Sequence, residues 1–144
     1  MKNQNLAVLG ACMLLLFMGC SSRTGDEKTP QGVAIVTRSL PSEARAGENL
    51  TVSLTMAVSG SLNAVGIEEN YPLGWKVSAI PLKGVPKGGR IEWLFWSMGE
   101  PIINRTFNYT VSVPADYSGD AVFAGKVITK GTYAVEGDTS VKVV

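Results

Sequence analysis

Carboxylates in this 144-residue chain come closest to catalytic spacing at two places, Glu68-Glu69-Asn70 and Asp116 with Asp120. Two carboxylates on one surface could do acid–base or glycosidic chemistry, and oxygen ligands in a loop could hold calcium. Neither group qualifies. Glu68 and Glu69 are adjacent in an extended segment, so their side chains leave on opposite faces. Asp116 and Asp120 lack the ligand spacing of an EF-hand loop. The chain has no His, which removes the commonest general base and the His-based triad. Its Ser-Gly and Gly-Gly steps fit neither the G-x-S-x-G nucleophile elbow nor a phosphate loop. The expectation is a non-enzymatic protein without cofactor or metal.

Recognition chemistry has a better candidate in Arg90-Ile91-Glu92-Trp93-Leu94-Phe95-Trp96. In a strand, Ile91, Trp93 and Phe95 share one face, and Glu92, Leu94 and Trp96 share the other. With the first face in the core, Leu94 and Trp96 point outward and form a candidate surface for a protein partner or for sugar stacking. The segment 97–103 is expected to fold over Trp96. Asn49, Asn104 and Asn108, three of the seven asparagines, open N-x-[ST] triplets and are candidate glycosylation sites. Thr is also favoured in strands, which raises the background for such triplets.

The two cysteines belong to the N-terminal segment. Lys2 precedes an uncharged, largely apolar run from Leu6 to Met18, followed by Gly19-Cys20. A charged start, a short apolar stretch and small residues make a secretory signal layout. Such a run is shorter than the roughly 20 residues of a membrane span. Phe17-Met18-Gly19-Cys20-Ser21-Ser22 resembles a lipobox, with Phe17 where Leu is usual. That resemblance implies cleavage before Cys20 and lipidation of its sulfur, with the protein held outside the cytoplasm on the cell membrane. Residues 1–19 are then the signal peptide, 20–32 the lipidated Cys and a polar tether, and 33–144 the domain. With Lys2 gone, the mature chain carries twelve basic and twelve acidic side chains. This balance gives no electrostatic grip on nucleic acid or on an anionic membrane, so acyl chains must supply the attachment.

The domain must position these groups on strands. Leu50, Val52, Leu54, Met56 and Val58 alternate with Thr51, Ser53, Thr55 and Ala57, a period of two. Further strands are expected at 33–38, 64–69, 75–80, 90–96, 105–113, 121–129 and 139–144, with Gly, Pro, Asn or Asp in each gap. The result is an all-β Greek-key sandwich of seven to eight strands. Pro72-Leu73-Gly74-Trp75, Ile91-Glu92-Trp93 and Tyr109-Thr110-Val111-Ser112-Val113-Pro114, in that order, resemble the immunoglobulin-like repeats of bacterial and archaeal cell-surface proteins. The resemblance implies a spacer, adhesive or wall-associated module. Gly74 is expected at positive φ in a turn, Trp75 and Trp93 as core plugs, and Tyr109 as a buried ring whose hydroxyl fixes a strand corner. The functional expectation is a lipid-anchored structural or protein-interaction module of the envelope. The alternative is a carbohydrate- or cell-wall-binding module that uses Trp96.

Overall fold

A computed structural model describes residues 31–144. Among these residues there is no helix. The clearest alternation in the sequence forms the longest strand, β3 (Asn49–Ser59). It pairs antiparallel with β1 (Val33–Ser39) on one side and with β8 (Arg105–Ser112) on the other. β5 (Lys76–Ala79) extends this first sheet beyond β8, and β12 (Glu136–Gly137) pairs parallel with β1 at the opposite edge.

The second sheet is centred on β4 (Ala64–Asn70), flanked by β7 (Arg90–Trp96) and β10 (Ala124–Ile128). Its edges are β6 (Val85–Lys87) and β11 (Thr132–Ala134). A small third sheet joins β13 (Ser140–Val143) to β9 (Gly119–Val122) and to β2 (Glu43–Ala44). The chain crosses between the two large sheets from β3 to β4, from β4 to β5, from β5 to β6, from β7 to β8 and from β11 to β12.

Leu50, Val52, Leu54 and Met56 of β3 are buried, as their alternation requires, and Ile91, Trp93 and Phe95 of β7 face them across the core. Trp93 lies edge-on to Phe107 at 5.1 Å between ring centroids, and Phe95 tilts against Phe107 at 5.8 Å. Both contacts tie β7 to β8 across the two sheets. Trp75 is the second aromatic plug, perpendicular to Tyr117 at 5.3 Å and to Phe123 at 6.0 Å. Gly74 has φ 85°, as a turn glycine should. The all-β, immunoglobulin-like sandwich is therefore as the sequence suggests.

The strand count differs. Among the described residues thirteen extended segments are present rather than seven or eight, and β2, β6, β11 and β12 are only two or three residues long. Segments this short carry too few residues to show a period. The span 121–129 is two strands, because the chain changes sheets at Phe123. Its N–H donates to the Thr139 carbonyl at 2.8 Å and its ring enters the core.

Candidate functional site

Two polar constructions hold the site's supporting frame. The first is buried. Arg38 ends the inward face that Ala34 and Val36 begin, and Glu69 ends the inward face of Val65 and Ile67. The two meet across the core as a bidentate pair. Arg38 Nε donates to Glu69 Oε1, and Nη2 donates to Oε2 at 2.8 Å. Arg38 Nη1 donates to the Asp138 carbonyl at 2.8 Å. The Tyr109 hydroxyl donates to Glu69 Oε1 at 3.0 Å.

Tyr109 is thus buried and hydrogen-bonded as expected, but it bridges the sheets instead of fixing a strand corner. A local turn is closed by Tyr117, whose hydroxyl donates to the Asp120 carbonyl at 2.9 Å. Sequence reasoning separated Glu68 from Glu69 correctly, since Glu68 reaches the surface and Glu69 is buried. It missed the partnership with Arg38. The available signal was position: both residues fall in step with apolar neighbours two and four places before them.

Burial pushes the Glu69 carboxyl up, against the opposing pull of Arg38 and the Tyr109 hydroxyl. The Tyr109 phenol is raised well above its usual range, first by burial and then by the negative charge of Glu69. An unfolded Tyr titrates near about 10. The fold therefore favours the protonated phenol, and the stability this contributes is full below about pH 10 and lost as pH rises further. In urea titrations the native chain should lose stability more steeply above about pH 10 than Tyr109→Phe does. Parallel pH profiles for the two proteins would contradict this assignment.

The second construction displays the outer face of the second sheet. Trp93 Nε1 donates to the Pro81 carbonyl at 2.9 Å, and the Gly84 N–H donates to the same oxygen at 3.1 Å. A Cβ at Gly84 would lie 2.4 Å from Trp93 Nε1, so only glycine fits against the indole. Between these anchors Leu82 and Lys83 adopt φ 53° and 57°, left-handed values that cost a non-glycine residue about 1–2 kcal/mol. The loop thereby holds Leu82 out beside Val85.

On the same outer face, Gly66 sits between Leu94 and Ile128, its register partners on the two neighbouring strands. Leu82, Val85, Leu94 and Ile128 border an apolar groove floored by Gly66. Its rim is charged. Lys87 Nζ pairs with Glu92 Oε2, and Arg90 Nη2 lies 2.7 Å from Glu92 Oε1. These cations, Lys87 foremost, hold the Glu92 carboxyl below its usual range.

Leu94 is 69% exposed and Trp96 is 66% exposed, so both point outward as their strand position requires. The expected cover over Trp96 is absent. Segment 97–103 instead turns away toward residues 62–63. Ser97 N–H donates to the Asn63 carbonyl at 2.9 Å, and Ile102 N–H donates to the Leu62 carbonyl at 3.0 Å. Ile102 supplies the segment's buried side chain, while Met98 and Ile103 stay exposed. The backbone bonds decide the path, and Trp96 lies outside it.

Asn49, Asn104 and Asn108 are all exposed. Two of these amides already accept hydrogen bonds: Asn49 Oδ1 from Ser112 Oγ at 2.9 Å, and Asn104 Oδ1 from the Val58 N–H at 2.7 Å. Asn108 stands opposite Ser53 on the outer face of the first sheet. Cys20, residues 1–19 with the expected signal peptide, and most of the expected tether lie outside the described residues. Among the described residues no three His, Cys, Asp or Glu side chains gather in a metal-holding group.

No protein-family model matches the chain. An uncharacterized protein of Archaeoglobus fulgidus is 33% identical over 111 residues, which cover 75% of this chain and 64% of that protein. The chain thus spans less than two thirds of this relative's length. Among solved structures, a CARDB domain from Pyrococcus furiosus in complex with di-metal ions superposes with a TM-score of 0.53 at 9% identity, over 78% of this chain and 94% of that domain. A cohesin module from a Clostridium perfringens family 33 glycoside hydrolase superposes with a TM-score of 0.51 at 15% identity, over 78% of this chain and 98% of that module. The chain shares their immunoglobulin-like sandwich fold. At these identities the likeness is one of architecture, and the two modules reach it with different sequences from this one.

Proposed function

We propose that this protein is a lipid-anchored module of the cell envelope, attached through Cys20 on the outer side of the membrane, that binds another envelope protein and catalyses no reaction. The observation that carries the reading is the apolar groove on the second sheet. Leu82, Val85, Leu94 and Ile128 remain at the surface of a sandwich whose own core is already closed. A grouped apolar surface with a charged rim is what a protein partner covers. The left-handed Leu82–Lys83 pair supports the same reading, because strain of this kind is retained where a side chain must be aimed.

The test is a photo-crosslinking residue placed at position 94 in cells, with position 53 on the opposite outer face as control. One discrete protein adduct from position 94, absent from position 53 and lost on adding Val85→Asp, is the expected result. Adducts of equal pattern from both positions would remove the groove as the recognition surface. Attachment is read separately, from the intact mass of membrane-extracted protein: residues 20–144 plus acyl groups is expected, and an unprocessed chain would exclude lipidation of Cys20. A second reading, a carbohydrate- or wall-binding module, draws support from the exposure of Trp96 beside Glu100 and Arg105. Saturable change of Trp96 fluorescence with wall polysaccharide would favour it.

A further inference from the structure

The chain enters the sandwich at one end, and exposed apolar side chains collect at that end. Gln31 bridges Ser61, and Gly32 packs so closely that an added Cβ would lie 2.4 Å from the Ser61 carbonyl oxygen. Leu62 and Asn63, the next residues, are those whose carbonyls hold segment 97–103. Entry point and segment 97–103 are therefore bonded to the same short turn. The segment and the strand before it present Met98, 89% exposed, Trp96, 66%, and Ile103, 65%. Ile102 is buried between them and roots the segment in the core. Exposed cations flank the group: Lys130 borders the depression shared with Gln31 and Gly32, and Arg105 borders the one shared with Trp96 and Ile103.

We propose that this end of the sandwich lies on the lipid surface, with Trp96, Met98 and Ile103 in the interfacial layer and Lys130 and Arg105 beside headgroup phosphates. The inference rests on the reading of the chain as anchored at Cys20. Ten residues separate Cys20 from Gln31, and the eleven Cα-to-Cα steps reach at most about 40 Å when fully extended. The eleven residues of β3 put the far end of the sandwich roughly a further 35 Å away. Every shorter tether path therefore brings the entry end to the membrane first. Trp favours the membrane–water boundary, and exposed Met and Ile gain by leaving water there. A protein held by acyl chains gains lasting attachment from a second contact.

The register partner of Trp96 is Ala64, and Leu94 and Met98 lie two residues to either side of it in sequence. These neighbours are apolar, as an acyl-chain contact requires, and Glu100 and Arg105 border the same depression. Leu73 is exposed at the other end, past the last residue of β4, and serves as a control.

The full chain, extracted from membranes and reconstituted in phosphatidylcholine–phosphatidylglycerol vesicles with shallowly brominated acyl chains, provides the test. Trp75 and Trp93 are buried and act as internal references. Bromine quenching should be at least twofold greater for the native chain than for Trp96→Phe. Met98→Asp with Ile103→Asp should bring it down to the Trp96→Phe level while the thermal midpoint stays unchanged. Leu73→Trp in the Trp96→Phe background should remain unquenched. Native quenching equal to that of Trp96→Phe would overturn the proposal. So would protection of Trp96 by a second copy in cross-linked dimers, or by polysaccharide without lipid. The mass of the same preparation separates the two readings. Acylated Cys20 with unquenched Trp96 refutes the lipid contact and keeps the anchor. Quenched Trp96 without acylation keeps the contact and refutes the anchor at Cys20.

Discussion

Arg38→Met should cost about 3–5 kcal/mol of folding stability, because it leaves the Glu69 carboxylate buried without its counter-ion. Both side chains are fully shielded from water. In the native chain Glu69 accepts two donors from Arg38 and one from Tyr109. The variant retains only the Tyr109 donor, and the Asp138 carbonyl loses its guanidinium partner as well. The carboxyl would then ionise still less readily in the folded protein than in the unfolded chain. Folding of the variant therefore becomes more favourable as pH falls through the raised pKa toward the ordinary carboxylate range.

The double variant Arg38→Met, Glu69→Met should lose much less than Arg38→Met alone, since it removes both desolvated charges and fills the site with apolar atoms of similar length. Urea unfolding of the native chain and the two variants, at about pH 7 and about pH 5, measures both effects. Equal losses in the single and double variants would mean that the pair itself, and not the stranded charge, carries the energy.

Trp93→Ala is the second large effect, an expected loss of about 3–5 kcal/mol for a buried aromatic truncated in place. The ring packs against Phe107 and Tyr109 of the opposite sheet. Its Nε1 also ties down the Pro81 carbonyl, and with it the turn that holds Leu82 and Lys83 left-handed. The variant should therefore do more than weaken the core. Hydrogen exchange at Gly84 should speed up further than global destabilisation alone accounts for, because its acceptor is no longer fixed. Trp96→Ala, at an outward position three residues further along the same strand, should change stability by less than about 0.5 kcal/mol, as for other surface substitutions. Similar stability losses in the Trp93 and Trp96 variants would contradict the assignment of one to the core and the other to solvent.

Much of this architecture was readable in the sequence. The strict alternation in β3 and β7 assigned Val52, Leu54, Ile91 and Trp93 to the interior and Leu94 and Trp96 to the exterior, because a pleated strand has only two faces. What escaped was decided by tertiary structure. Phe123 reads as one more apolar residue in a long strand, and only the sheets it connects reveal the break. β6 lies in a glycine- and lysine-rich stretch that reads as a turn, and its pairing with β7 makes it a strand. Arg38 and Glu69 each occupy a core-facing position, yet a charged residue there reads as the end of a buried face until a partner comes into view. The exposure of Trp96 depends on the path of segment 97–103, set by two backbone bonds to residues far away in sequence.

Alternation alone leaves an ambiguity in how the strands align. Sliding β1 by two residues along β3 keeps every apolar side chain on the inner face, so hydrophobic burial scarcely distinguishes the slipped sheet from the native one. The guanidinium distinguishes them. In the slipped alignment Arg38 moves roughly 7 Å along the sheet, beyond the reach of the bidentate contact, and the buried Glu69 keeps only the Tyr109 donor. The native alignment alone lets both ends of the pair be satisfied, so a charged contact inside an apolar core selects one arrangement from a set that greasiness treats as equals.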